Sequence, residues 1–230
     1  MTKSDGGITA AAEKPLCYHF SPLERAMTLA KLMAKATTSS VKTQNQLRII
    51  GGLWRGRKLS FPAVEGLRPT GDRIRETLFN WLAPDIQDAR CLDLFAGSGA
   101  LGLEALSRGA ALSLLIERDT KAAAQLRTNL EVLKANKGKV ISTDSMQFLQ
   151  RGNDSEAYDI VFIDPPFQLN LWQAVIDGLE AGNYLAENAV IYIESGREHH
   201  YNTPAHWQMH RDKSAGQVNY RLFYRTQVKL

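Results

Sequence analysis

The chain has 230 residues, 44% of them hydrophobic and 23% charged, the composition of an ordinary globular protein long enough to bury a full core. No apolar run approaches a membrane span, the first residues lack the basic-then-apolar order of a signal peptide, and Cys17 and Cys91 form neither a disulfide framework nor a CxxC metal site, so a cytoplasmic protein with reduced thiols is expected. The net charge of +4 is uneven: residues 48–75 hold seven basic and two acidic side chains, residues 76–230 fifteen and nineteen, which is either a footprint for phosphates or a solvated charged face.

Residues 1–46 read as a flexible extension. Its first twenty positions lack periodicity. Ser21-Pro22-Leu23-Glu24 has the form of a helix start, with Leu23, Met27, Ala30 and Met33 along one face, and residues 36–46 form a polar linker. The main domain is placed at 47–230. It begins with Arg-Ile-Ile-Gly-Gly-Leu-Trp-Arg-Gly-Arg-Lys from Arg48, two strand-like pieces around glycines, and a small basic β-hairpin is predicted over 47–66. A turn at 67–72 leads to a helix over Arg73–Leu82, with Ile74, Leu78 and Leu82 facing inward and Arg73, Glu76 and Asn80 on another face; Pro84 ends it.

From Cys91 strands and helices alternate. Strands are expected at 91–95, 112–117, 140–143, 160–164 and 189–194, and helices at 100–107, 121–135, 146–149 and 171–180. That order argues for a parallel sheet covered on both faces. Residues 207–213 and 218–227 alternate polar with apolar positions around Ser214-Ala215-Gly216 and read as an antiparallel hairpin closing the sheet.

In such a sheet ligands sit at the carboxyl ends of the strands. The first of these strands leads into Asp93-Leu94-Phe95-Ala96-Gly97-Ser98-Gly99-Ala100-Leu101-Gly102, which also fits the dinucleotide GxGxxG pattern. Asp93 argues against that reading, because a carboxylate beside the loop repels a pyrophosphate and suits the ammonium and sulfonium of S-adenosylmethionine. Glu117, closing the second strand, is placed for ribose hydroxyls. Asp144 is placed either for an adenine amine, with Met146 against the ring, or as a helix N-cap. Asp164-Pro165-Pro166-Phe167 follows an apolar strand. Two prolines remove two N–H donors, leaving a wall of acceptors beside an aromatic face. This suits a planar ring bearing an exocyclic NH2, or is a plain strand-ending turn.

In this order and spacing, Asp93–Gly102, Glu117, Asp144 and Asp164–Phe167 resemble the class I S-adenosylmethionine-dependent methyltransferases that act on exocyclic amines of bases. The segments from Arg48, Arg68 and Asp93 are similar to those of the RsmD family, the bacterial 16S rRNA guanine-N2 methyltransferases. The resemblance runs from about Leu47 to the C-terminus. It implies a Rossmann-like, mostly parallel seven-stranded sheet with an antiparallel C-terminal hairpin and an N-terminal β-hairpin. The implied cofactor is S-adenosyl-L-methionine, bound by Asp93, Phe95, Gly97, Gly99, Glu117, Asp144 and Met146, with N2-methylguanine in 16S rRNA as the product. Asp164, Pro165, Pro166 and Phe167 would be catalytic, with Phe167 stacking on the flipped base and Asp164 and the Pro165 carbonyl accepting from the amine.

Arg48, Arg55, Arg57, Lys58, Arg68 and Arg73 are candidate contacts to 16S rRNA or the small ribosomal subunit, and Trp54 is a stacking platform or hairpin core. Thr70, Arg73 and Glu76 are expected to help close the pocket. His199, His200, His206 and His210 match no zinc pattern and are read as surface residues, with no metal expected. Two rivals stay open: adenine-N6 methylation of DNA or RNA, and a non-catalytic RNA-binding assembly factor.

Overall fold

The computed structural model describes residues 45–63 and 71–226. The predicted tail, the helix from Ser21, the linker as far as residue 44, Thr70 and Arg68 with its turn, and the last four residues lie outside them. Asn45 and Gln46, read as linker, instead begin strand β1 (Asn45–Arg48), which pairs antiparallel with β2 (Lys58–Phe61). Every second side chain of this hairpin points inward. Leu47, Leu59 and Phe61 pack with Ile49 against Leu103, Leu106, Leu126 and Leu130.

Helix α1 (Asp72–Trp81) buries Leu78 and Phe79 and exposes Arg73, Glu76 and Asn80, as its period requires. The remaining helices are α2 (Gly102–Ser107), α3 (Thr120–Leu133), α4 (Ser145–Gln150) and α5 (Trp172–Ala181). They alternate with β3 (Arg90–Asp93), β4 (Leu112–Glu117), β5 (Gly138–Ser142), β6 (Tyr158–Ile163) and β7 (Leu185–Gly196). The strand order is β5-β4-β3-β6-β7-β9-β8, with β8 (Trp207–Ala215) and β9 (Val218–Arg225) closing one edge as an antiparallel hairpin. This is the expected seven-stranded α/β sheet. Core clusters cover both of its faces, one around Trp172 and Val161 and the other around Phe79 and Phe162. Cys91, on β3, is a buried free thiol. No described helix is long and apolar enough to cross a membrane.

The β1–β2 hairpin is fastened to the sheet domain by charge as well as by packing. Glu104 on α2 is fully buried, and its carboxylate accepts the Ile50 N–H at 2.9 Å and the Arg108 Nε–H at 2.8 Å. The equally buried Arg75 lies 3.7 Å from it, donates to the Arg48 carbonyl at 2.9 Å and pairs with Asp72 at 2.5 Å. Gly52, at φ +71°, brings the hairpin turn against the last turn of α2, where a Cβ would run into the Ser107 carbonyl. Periodicity assigns none of these roles to Arg75 or Glu104.

Removing one member of a buried charge network leaves its partners desolvated and unpaired. Glu104→Ala is expected to destabilise the protein by roughly 3–5 kcal/mol in chemical denaturation. A loss under about 1 kcal/mol, the level of a surface ion pair, would contradict the part given to this network.

Candidate active site

A cleft of about 890 Å³ opens at the carboxyl ends of the parallel strands. The β3–α2 turn forms its floor. Gly97 and Gly99 adopt φ +52° and +83°, and at Gly99 a Cβ would stand 2.6 Å from Leu126, so α2 and α3 approach as they do only with glycine there. Gly97 lines the cleft, as do Phe95 and Ser98; Gly99 supports it from below.

Asp93, 2% exposed, accepts the Gly102 N–H at 2.9 Å. Burial, with the charges of Asp164 and Glu117, outweighs the bonds from Gly102 and Phe95 and pushes its carboxyl up to about 7. Glu117 ties down the glycine loop. Its two oxygens accept from Gly97 N and Asp119 N, each at 2.7 Å. A carboxylate has about four acceptor positions, so capacity toward the cleft remains. Asp144 caps α4 through Oδ1, which accepts from Met146 N at 2.9 Å and Gln147 N at 3.2 Å, and it also lines the cleft. Both readings of Asp144 are therefore compatible. The side chain of Met146 instead packs against the core cluster around Trp172, and Met146 is not among the residues lining the cleft.

Asp164, Pro165, Pro166 and Phe167 form the facing wall. The chain turns through a short 3-10 helix (Phe167–Leu169), and the Pro166 carbonyl accepts from Leu169 N at 3.0 Å. Phe167 is half-buried, 5.8 Å from the rings of both Trp172 and His199. His199 is not a surface residue. Its ring lies 4.4 Å from that of Trp172, tilted by 48°, and its Nε2 lies 3.0 Å from the Phe167 carbonyl. His206 is likewise partly buried, 2.9 Å from Glu180.

The sequence reading missed Glu194. It lines the same cleft at 6% exposure, and like Asp93 and Glu117 it follows an apolar run, residues 190–193, which is the signal that marks it. Other expectations need correction. Gly71 and Ile74 border the cleft, whereas Arg73 and Glu76 project to solvent, because one helical face cannot hold 71, 74 and 78 together with 73 and 76. Trp54 is partly buried against the hairpin core. Arg48, Arg55, Arg57 and Lys58 are exposed, and the hairpin's first residue, Asn45, reaches the cleft.

Residues 47–224 match the family described as Conserved hypothetical protein 95. The Ribosomal RNA small subunit methyltransferase D of Escherichia coli (strain K12) is 57% identical over 182 residues, covering 78% of this chain and 90% of that protein. Its namesake from Haemophilus influenzae is 47% identical over 193 residues, covering 83% and 99%. A solved structure from Escherichia coli, described as a methyltransferase, superposes with a TM-score of 0.73 at 52% identity, over 79% of this chain and 99% of that one. Family profile, close relatives and the strand-end cleft agree, and the chain belongs to the ribosomal RNA small subunit methyltransferase D family.

Proposed function

We propose that the protein transfers a methyl group from S-adenosyl-L-methionine to the exocyclic N2 of a guanine in the 16S RNA of the small ribosomal subunit. The observation that carries this is the opening of the Asp164-Pro165-Pro166-Phe167 wall into the same cleft as Asp93, Gly97, Glu117 and Asp144. Kinship with the ribosomal RNA methyltransferases supplies the substrate class.

The cleft fits the cofactor by its charge. Asp93, held up near 7 by burial, is a carboxyl short of positive charge, and an ammonium or sulfonium supplies it. A pyrophosphate would instead meet Asp93, Glu117, Asp164 and Glu194 together. The open acceptor positions of Glu117 suit ribose hydroxyls, and those of Asp144 an adenine amine. When bound, S-adenosylmethionine provides a methyl group made electrophilic by its sulfonium.

The chain's own residues do the rest by positioning. Phe167 stacks on the extruded base, whose unstacking costs roughly a few kcal/mol. Asp164 and the Pro165 carbonyl accept from the two N2 protons, turning the nitrogen lone pair toward the methyl and stabilising the positive charge that grows on nitrogen. Asp164 need not be a strong base, since the proton becomes acidic only as the methyl arrives. Behind the wall, His199 and Trp172 hold Phe167 in place. Arg48, Arg55, Arg57 and Lys58 on the hairpin bind RNA phosphates, with Arg68 and Arg73 as further candidates.

With tritiated S-adenosylmethionine, the protein is expected to label small-subunit RNA or its precursor particle, and nucleoside analysis to yield N2-methylguanosine. Recovery of N6-methyladenosine alone would move the assignment to adenine. Asp164→Ala is expected to lower kcat by roughly 100-fold or more while S-adenosylhomocysteine still binds in calorimetry. Near-normal turnover would remove Asp164 from the mechanism. Arg55→Glu is expected to weaken RNA binding and flatten the log K against log salt slope by about 0.7–0.9 for each phosphate that is no longer neutralised. An unchanged slope would put Arg55 in solvent only.

A further inference from the structure

Asp164 alone does not distinguish guanine from adenine, because both present an exocyclic amine. The next strand carries a second acid in register with it. On β6 and β7, Phe162 faces Tyr192 and Ile163 faces Ile193, the last pair of the ladder; Asp164 and Glu194 are the next residues of the two segments, and both line the cleft. Neighbouring strands lie about 4.8 Å apart, which sets the two carboxyl groups side by side on one cleft wall.

Glu194 is held in place on two sides. Its backbone carbonyl accepts the Trp172 indole N–H at 2.8 Å, and its Oε2 accepts the hydroxyl of fully buried Tyr192 at 2.9 Å. Burial, then the Asp164 charge, pushes this carboxyl up to about 8 against the lowering effect of the Tyr192 bond. It is a rigid, desolvated acceptor with fewer donors than it can take.

Guanine offers N1–H and N2–H2 as adjacent donors on one edge, whereas adenine offers an amine beside a bare N1 acceptor. We infer, resting on the guanine-N2 reading above, that Glu194 is the residue that selects guanine, its carboxylate accepting the N1–H while Asp164 and the Pro165 carbonyl take the amine. An N1–H bond supplies the missing donor and favours the ionised form of Glu194. Above about pH 8, where Glu194 is ionised, adenine would turn a lone pair toward that carboxylate and leave it unpaired in a buried site, the arrangement that discriminates most strongly between ligands; below it the protonated carboxyl can donate to adenine N1 and the discrimination fades.

The test uses small-subunit particles rebuilt with RNA that carries either guanine or 2-aminopurine at the labelled position. The analogue keeps the amine and has no N1–H. With Glu194 ionised, at a pH about one unit above its raised value of about 8, the intact protein is expected to prefer guanine by roughly 100-fold in kcat/KM, the size of one charge-assisted hydrogen bond. Glu194→Ala is expected to lose that preference through the guanine rate alone, with the 2-aminopurine rate staying within about threefold and S-adenosylhomocysteine binding retained. Equal rates on the two substrates with the intact protein, or an equal fall on both in the variant, would overturn the role of Glu194. If the alanine variant loses S-adenosylhomocysteine binding, Glu194→Gln decides. A preference reduced by about tenfold or more supports the inference, since a neutral acceptor bonds N1–H more weakly, and an unchanged one overturns it. Failure of the intact protein to methylate guanine N2 at all would instead refute the proposed function.

Discussion

Parallel strands present their carboxyl ends at one edge of a sheet, and among the described residues five such strands bring an acid to one cleft, Asp144 following β5 being one of these acids. Asp93, Glu117, Asp164 and Glu194 come from β3, β4, β6 and β7, strands locked in register by backbone hydrogen bonds. Burial first, and then the charges of neighbouring carboxylates, oppose ionisation of Asp93 and Glu194, which stand well above the usual carboxylate range. An unsupported loop would relax by swinging these groups apart. Here Gly102, Gly97, Asp119 and Tyr192 hold Asp93, Glu117 and Glu194 down, so the strain is relieved by ligands that bring donors or positive charge.

On the proposed reading, the deficit of positive charge at Asp93 is met by the cationic methionine end of the cofactor, and the deficit of hydrogen-bond donors at Asp164 and Glu194 by a base edge with several N–H groups. A single acidic cleft then serves both a cation and a neutral ring.

The hairpin is where exposed positive charge gathers, although Arg118 also lines the cleft. The hairpin carries Arg48, Arg55, Arg57 and Lys58 on its exposed positions, and its inward positions are apolar. Glu104 fixes it to the sheet domain by accepting the Ile50 N–H while meeting Arg75 and Arg108. The basic hairpin thus presents a surface whose placement is set by a buried network, and Asn45, at the start of the hairpin, borders the cleft.

The sequence by itself determined much of this. Alternating apolar strands and amphipathic helices specified the sheet, because their periods are local properties of the chain, and the turn glycines and the Asp164-Pro165-Pro166-Phe167 wall were legible because they are contiguous. Strand limits shifted by one to four residues, since end residues depend on ladder partners: β3 stops at Asp93, and β7 runs from Leu185 to Gly196. Tertiary structure alone decided the burial of Arg75, the contact of His199 with Phe167, the packing of Met146 on the core around Trp172 and the meeting of Glu194 and Asp164 in one cleft. Each of these depends on which residue of a distant segment lies opposite. That is fixed by sheet register and helix docking, and no spacing along the chain encodes it.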